Sequence, residues 1–307
     1  MRLQLLLFLL LVNTTFAQLG TVTDLHAPRT PCPTGFTCGN YTVTTPYTPL
    51  IRGYAAVLEP TVSVTATNLY FSGAGGTGPW QGPPVTTPIV QSFWDAQSAA
   101  GQRIIQWAWS STWSIAIFNG TPVYNRLCSD RAATVIDFFQ HRYSGDFRVI
   151  GGSWGAGEVA FSIANWPINV NRALFTGGPV EMNIAEGCES TDHNDPYWYN
   201  PGTAGGVDLF MGLMATRPCF NRDSGYDQLW HENSVEFGGV YSYPNTRIYI
   251  YVGANDSTDI KNRGGFYRDL LQQSGQTDLQ FTVVPNCGHE PTTCASYLTA
   301  LLTGLLP

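Results

Sequence analysis

The stretch Phe147-Arg148-Val149-Ile150-Gly151-Gly152-Ser153-Trp154-Gly155-Ala156-Gly157 constrains this chain more than any other. A short apolar run ends abruptly in G-x-S-x-G, and residues 158–166 continue as an amphipathic helical pattern. Strand, sharp turn and helix in that order lift a serine hydroxyl clear of a sheet. Glycines two before and two after the serine remove side chains that would collide where strand and helix draw together. A helix beginning just after Ser153 also points its free N–H groups at any oxyanion that forms there. The stretch therefore predicts a nucleophilic serine at the end of a buried strand.

Such a serine needs a general base, a carboxylate to orient the base, and oxyanion donors. On a turn of this kind the partners follow in the order Ser, Asp, His, each just after a strand end. His26 and His141 precede the serine, and His193 and His231 precede the only suitable Asp-bearing strand end. That leaves His289, in Asn286-Cys287-Gly288-His289-Glu290, directly after the apolar run 279–284. Asp256, three residues past Gly253 and just after the run 248–252, is the matching carboxylate, with Asp259 one turn further on as the competitor. One oxyanion donor is the backbone N–H of Trp154. The other belongs to the glycine-rich stretch Ser72-Gly73-Ala74-Gly75-Gly76-Thr77-Gly78, with Ala74 the first choice and Gly75 the second.

Apolar runs alternate with helical patterns through most of the chain. Strands are predicted over 62–71, 103–109, 172–175, 248–252 and 279–284, and helices over 89–100, 126–143, 264–273 and 294–306. Short, doubly buried strands in this alternation imply a mainly parallel sheet covered by helices on both faces, an α/β class. The alternation stops between Gly178 and Asn245, a stretch rich in Asp, Glu, Tyr, Trp and Gly, which is expected to lie over the strand ends as a lid or pocket wall. Residues 18–52 include a Pro/Thr-rich tract and are expected to wrap the surface, pinned by Cys32 and Cys38.

Taken together, Gly151-Gly152-Ser153-Trp154-Gly155 with Asp256 and His289 resembles the α/β-hydrolase superfamily over residues 53–307. The G-G-S-W-G form of the turn is similar to that of proline iminopeptidase-like members. The chain departs from them in having Ser72-Gly73-Ala74 where their oxyanion loop begins His-Gly-Gly, and in lacking their long helical cap. The resemblance implies a Ser-His-Asp hydrolase working through a covalent acyl-enzyme without a cofactor. The departures favour carboxylic esters, small or polymer-linked, over an aminopeptidase. A hydrolase scaffold without activity, used for binding, is the further alternative.

Residues 1–17 read as a secretory signal: Arg2, an apolar core over 5–12, then Thr15-Phe16-Ala17 before Gln18, too short for a membrane anchor. Export makes the seven cysteines a disulfide framework, Cys32/Cys38, Cys287/Cys294 and Cys188/Cys219, with Cys128 left over. Asn40-Tyr-Thr and Asn119-Gly-Thr are glycosylation sequons. A net charge of −7, with Lys261 the only lysine, argues against nucleic acid or an anionic membrane as partner, and a monomer is expected. Asp192, His193 and Asp195 carry metal-ligand chemistry, but their Asn- and Pro-containing setting reads as a solvated turn, so no metal is expected.

Overall fold

The computed structural model describes residues 18–76 and 87–306. The predicted leader, together with Thr77, Gly78 and Trp80, lies outside the described residues. Nine strands form one mixed sheet in the order β1-β2-β3-β5-β4-β8-β9-β10-β11. They are β1 (Thr21–Pro28), β2 (Thr37–Thr44), β3 (Ile51–Leu58), β4 (Ala66–Phe71), β5 (Gln102–Trp109), β8 (Asp146–Gly152), β9 (Arg172–Thr176), β10 (Arg247–Gly253) and β11 (Leu279–Val284). From β5 through β4, β8, β9 and β10 to β11 every pairing is parallel, while β1–β2, β2–β3 and β3–β5 are antiparallel.

Alternate residues of the central strands feed two separate cores, as the period of two in a pleated strand requires. Leu69, Phe71, Val149, Ala173, Phe175, Ile248 and Ile250 pack with helices α2 (Asn125–Arg142), α3 (Trp154–Asn165) and α8 (Thr258–Gln273). Tyr70, Ile150, Leu174, Tyr249 and Tyr251 face the other way, against α1 (Pro88–Ala99) and α9 (Ala295–Leu305). The sheet is thus covered on both faces. Strand order reverses at β4, which has β5 on one side and β8 on the other. The crevice that such a reversal opens at the carboxyl ends of parallel strands is where ligands bind in open α/β sheets.

The N-terminal segment differs from expectation. Residues 18–52 do not wrap the surface as an irregular arm; β1 and β2 extend the sheet at one edge. Threonine is β-branched and suits a half-exposed strand, and Pro28 ends the edge strand, a position proline tolerates. The strand expected from residue 62 begins at Ala66, because Val62 and Val64 are 52% and 43% exposed rather than paired into the sheet. A further hairpin, β6 (Ile115–Phe118) with β7 (Thr121–Tyr124), turns on Asn119-Gly120, a pair that supplies the positive φ of a two-residue turn.

Between β9 and β10 the chain forms four short helices: α4 (Ile184–Glu189), α5 (Pro201–Phe210), α6 (Pro218–Asn221) and α7 (Asp227–Glu232). The Cys188–Cys219 bridge ties α4 to α6, and Cys32–Cys38 and Cys287–Cys294 are also bonded, leaving Cys128 free and buried. No helix among the described residues is long and apolar enough to cross a membrane.

Candidate active site

Ser153 lies between the last residue of β8 and the first of α3, with its backbone at φ 52°, ψ −121°. An L-residue rarely adopts that conformation, and the surroundings hold it there. The Ser153 N–H donates to the Thr176 carbonyl at 2.7 Å, anchoring the turn to the end of β9. Glycine is needed on both sides for close backbone approach. A Cβ on Gly151 would stand 2.3 Å from the Gly155 carbonyl oxygen, and one on Gly155 would stand 2.5 Å from that of Ser72.

The loop after β11 brings His289 to the serine. Its Nε2 is 2.8 Å from Ser153 Oγ, and its Nδ1 is 2.8 Å from Asp256 Oδ2. With the proton on Nδ1, the imidazole donates to Asp256 and accepts from the serine hydroxyl, the arrangement in which it can take the serine proton. The two supporting loops lock together by backbone: the Asn255 N–H donates to the Cys287 carbonyl at 2.8 Å, and a Cβ on Gly253 would stand 2.2 Å from the Gly288 oxygen. Gly177, at φ 59°, lies against the imidazole, where a Cβ would come within 2.8 Å of Cε1. Burial pulls the His289 pKa down, but the hydrogen bond and charge of Asp256 outweigh it and hold the pKa above the usual value. Asp256 also accepts from the Ser257 N–H at 2.7 Å, and its side chain is 4% exposed.

The competitor, Asp259, does other work. It accepts two hydrogen bonds from the Asn200 side-chain amide at 3.0 and 2.9 Å, fastening α5 of the insertion to α8. Burial works against its charge, yet hydrogen bonds from Ser257, Thr203 and Asn200 together hold its pKa below the usual value.

The loop after β4 runs beside Ser153: a Cβ on Gly73 would stand 2.9 Å from Ser153 Cβ. Ala74, Gly75 and Gly76 follow with φ of 50°, 75° and 74°, and Ala74 is the only one of the three that pays the steric cost of a side chain there. Trp154 is the first residue of α3, so its N–H has no partner within the helix.

Several contributors to this site carry no sequence motif. Thr176 holds the turn. Phe210, at the end of α5, packs its ring 5.0 Å from that of Trp154, and its carbonyl accepts from Ser114 Oγ at 2.5 Å. This contact brings the insertion directly against the glycine-rich loop after β4, since a Cβ on Gly75 would stand 3.4 Å from Phe210 Cδ1. Glu158 and Glu181 are fully buried, and burial pushes both carboxyls well above the usual range. Gly157 is the one sequence signal for Glu181, whose carboxylate occupies the space a Cβ would need. Asp192 and Asp195 close turns, accepting from the N–H groups of Asn194 and Tyr197, while His193 packs on Trp198. Among the described residues no group of three or more His, Cys, Asp or Glu could hold a metal ion.

No protein-family model and no curated protein matches the chain. Solved structures do. A carboxyl esterase from the mycorrhizal fungus Tuber melanosporum is similar at 16% identity and TM-score 0.54, over 92% of this chain and 88% of the other. A bacterial heroin esterase gives 13% and 0.53, over 99% and 89%. A puromycin-hydrolyzing peptidase of Mycobacterium tuberculosis gives 12% and 0.53, over 83% of this chain but 36% of its own. At these identities the likeness speaks to architecture. With the mostly parallel nine-stranded sheet and helices on both faces, it establishes that the chain has the α/β-hydrolase fold.

Proposed function

We infer that the protein is a serine hydrolase of carboxylic esters. The observation that carries this reading is the unbroken hydrogen-bonded line from Ser153 Oγ through His289 to Asp256, at 2.8 Å for each link, at the ends of three parallel strands. Ser153 attacks the ester carbonyl as His289 takes its proton; the backbone N–H groups of Trp154 and Ala74 hold the oxyanion. His289 then gives the proton to the departing alkoxide. Water, deprotonated by the same imidazole, releases the acyl group, while Asp256 keeps the ring in the right tautomer and stabilises the imidazolium.

The preference for esters over peptides rests on the carboxylates of the insertion. Removal of N-terminal residues calls for an ionised carboxylate near the nucleophile to hold an ammonium. Glu189 faces His231 at 3.6 Å, Asp192 closes its own turn, and Glu236 is pushed up to about 9 by burial and by its hydrogen bond to Glu186. Glu181 is fully buried, and burial raises its carboxyl pKa, which makes it a poor partner for an ammonium. The leader and the three disulfides support export as an extracellular protein.

Fluorophosphonate labelling and p-nitrophenyl acetate hydrolysis test the reading together. Wild type should be labelled and turn over, whereas Ser153→Ala should lose the label and about 10⁶-fold in kcat, with an unchanged circular dichroism spectrum. Alanine and proline p-nitroanilides should be far poorer substrates. Turnover by Ser153→Ala at the wild-type rate would end the serine mechanism, and faster cleavage of the anilides would transfer the assignment to an aminopeptidase.

A further inference from the structure

We propose that Glu158 is a positioning residue for the oxyanion hole, acting through Trp109 on the loop that carries Ala74. The proposal rests on the serine-hydrolase reading. Glu158 lies five residues after Ser153 on α3, one turn beyond Trp154, and is fully buried. A carboxyl there is costly unless it is used. Its Oε1 accepts from the Trp109 indole N–H at 2.6 Å, and Trp109, the last residue of β5, is itself 1% exposed.

Trp109 is in turn the floor of the glycine loop. A Cβ on Gly76 would stand 2.7 Å from Trp109 Cδ1 and 3.3 Å from Trp113 Cδ1, so the loop backbone lies directly on both indoles. The Trp113 N–H donates to the Gly75 carbonyl at 3.1 Å, and the Trp113 carbonyl accepts from Arg131 at 3.4 Å. The charge of Arg131 favours ionisation of Glu158, and Glu158 in turn opposes ionisation of the buried Glu181. The two N–H groups that must converge on one oxygen come from separate places, Trp154 from the start of α3 and Ala74 from the loop after β4. The bond from Glu158 to Trp109 ties α3 to the end of β5, on whose indole the Ala74 loop rests beneath the hole. It fixes their spacing from inside the core, where water cannot substitute for it.

A donor must lie within a few tenths of an ångström of the developing oxyanion to be effective, and a misplacement of about 1 Å can cost about a hundredfold. Loosening the strut should therefore lower kcat and leave ground-state binding alone. With p-nitrophenyl acetate, Glu158→Leu should reduce kcat about 10- to 100-fold with KM within about twofold of wild type. Glu158→Gln offers the same kind of acceptor oxygen to the indole at nearly the same volume, so it should restore most of the activity. Trp109→Phe keeps the ring but removes the donor and should match Glu158→Leu. The double variant should be no worse than either single one, since both remove one bond. Fluorophosphonate should still label Ser153 in every variant, more slowly.

Wild-type kcat in Trp109→Phe, fully additive losses in the double variant, or a Gln variant as impaired as the Leu variant would each overturn the proposal. If Glu158→Leu does not fold, Trp109→Phe and Glu158→Gln carry the comparison alone. None of these outcomes touches the mechanism itself, which stands or falls with Ser153→Ala.

Discussion

The strand-end half of the site and the insertion above it are built by different means. At the strand ends, backbone packs on backbone: Gly151 on Gly155, Gly155 on Ser72 and Gly253 on Gly288, each at a distance no Cβ could share. The insertion is held by side chains. Asp208 accepts from the N–H groups of Cys219 and Phe220 at 2.9 Å each, Asn200 caps α5 and reaches Asp259, Arg222 donates to the Tyr199 carbonyl at 2.6 Å, and one disulfide crosses it. Backbone packing fixes a geometry to a fraction of an ångström and tolerates almost no substitution. A scaffold of side-chain bonds can be re-cut around a different pocket while the strand ends stay as they are. On the serine-hydrolase reading, the contrast leaves chemistry to the first region and selectivity to the second.

Two aspartates one turn apart put that contrast to its strongest test. Asp256→Asn should lower kcat for p-nitrophenyl acetate by about 10⁴-fold, because an amide can hold the imidazole in the wrong tautomer. Asp259→Asn should leave kcat unchanged and lower the melting temperature instead, because Asp259 fastens the insertion through Asn200. If the second variant proved as inactive as the first, the insertion would be part of the catalytic framework and the division would fail.

The disulfides give a smaller and opposed pair of effects. Cys188–Cys219 closes 31 residues and Cys287–Cys294 closes 7. Loop-closure scaling assigns about 4 kcal/mol to the first and about 2 kcal/mol to the second. Replacing Cys188 and Cys219 with serine should therefore lower the melting temperature more. Replacing Cys287 and Cys294 should lower activity more, by about tenfold, because that bridge closes the loop carrying His289. Calorimetry and initial rates on the two variants give the ranking directly. The same ranking for stability and activity would show that the short loop has no special role.

How much of this was legible in the sequence follows the same division. That Ser153, Asp256 and His289 come together was legible because each sits just past an apolar run, and the glycines around them mark contacts that only glycine permits. Residues 18–52 misled because threonine and proline are common in loops, yet threonine also pairs well in edge strands. Asn119-Gly120 was a readable turn signal, but the same residues also read as a glycosylation sequon. Glu158 and Phe210 were out of reach. A glutamate in an amphipathic helix reads as a solvent-facing residue, and only the long-range packing of α3 against Trp109 turns it inward. Phe210 is one aromatic among many, and its place against Trp154 depends on how four short helices fold together.

The mildest expected effect concerns pH. Asp256 raises the His289 pKa above its ordinary 6.5 despite the opposing pull of burial. Catalysis needs the neutral imidazole, so activity should be full above that raised pKa and fall about tenfold per unit below it. The acid limb of kcat/KM should therefore turn above pH 6.5, and the residual activity of Asp256→Asn should turn at lower pH than wild type, since the charge that holds the proton is gone. Stability runs the opposite way. A raised histidine pKa stabilises the fold fully below the unfolded value and loses that contribution as pH rises through the folded value. On the acid side the imidazolium–Asp256 pair thus favours the folded state just where the proposed mechanism is switched off. A limb at or below 6.5 in wild type, or one unmoved by Asp256→Asn, would mean that Asp256 aligns the ring without charging it, and the strand-end half would then work by geometry alone.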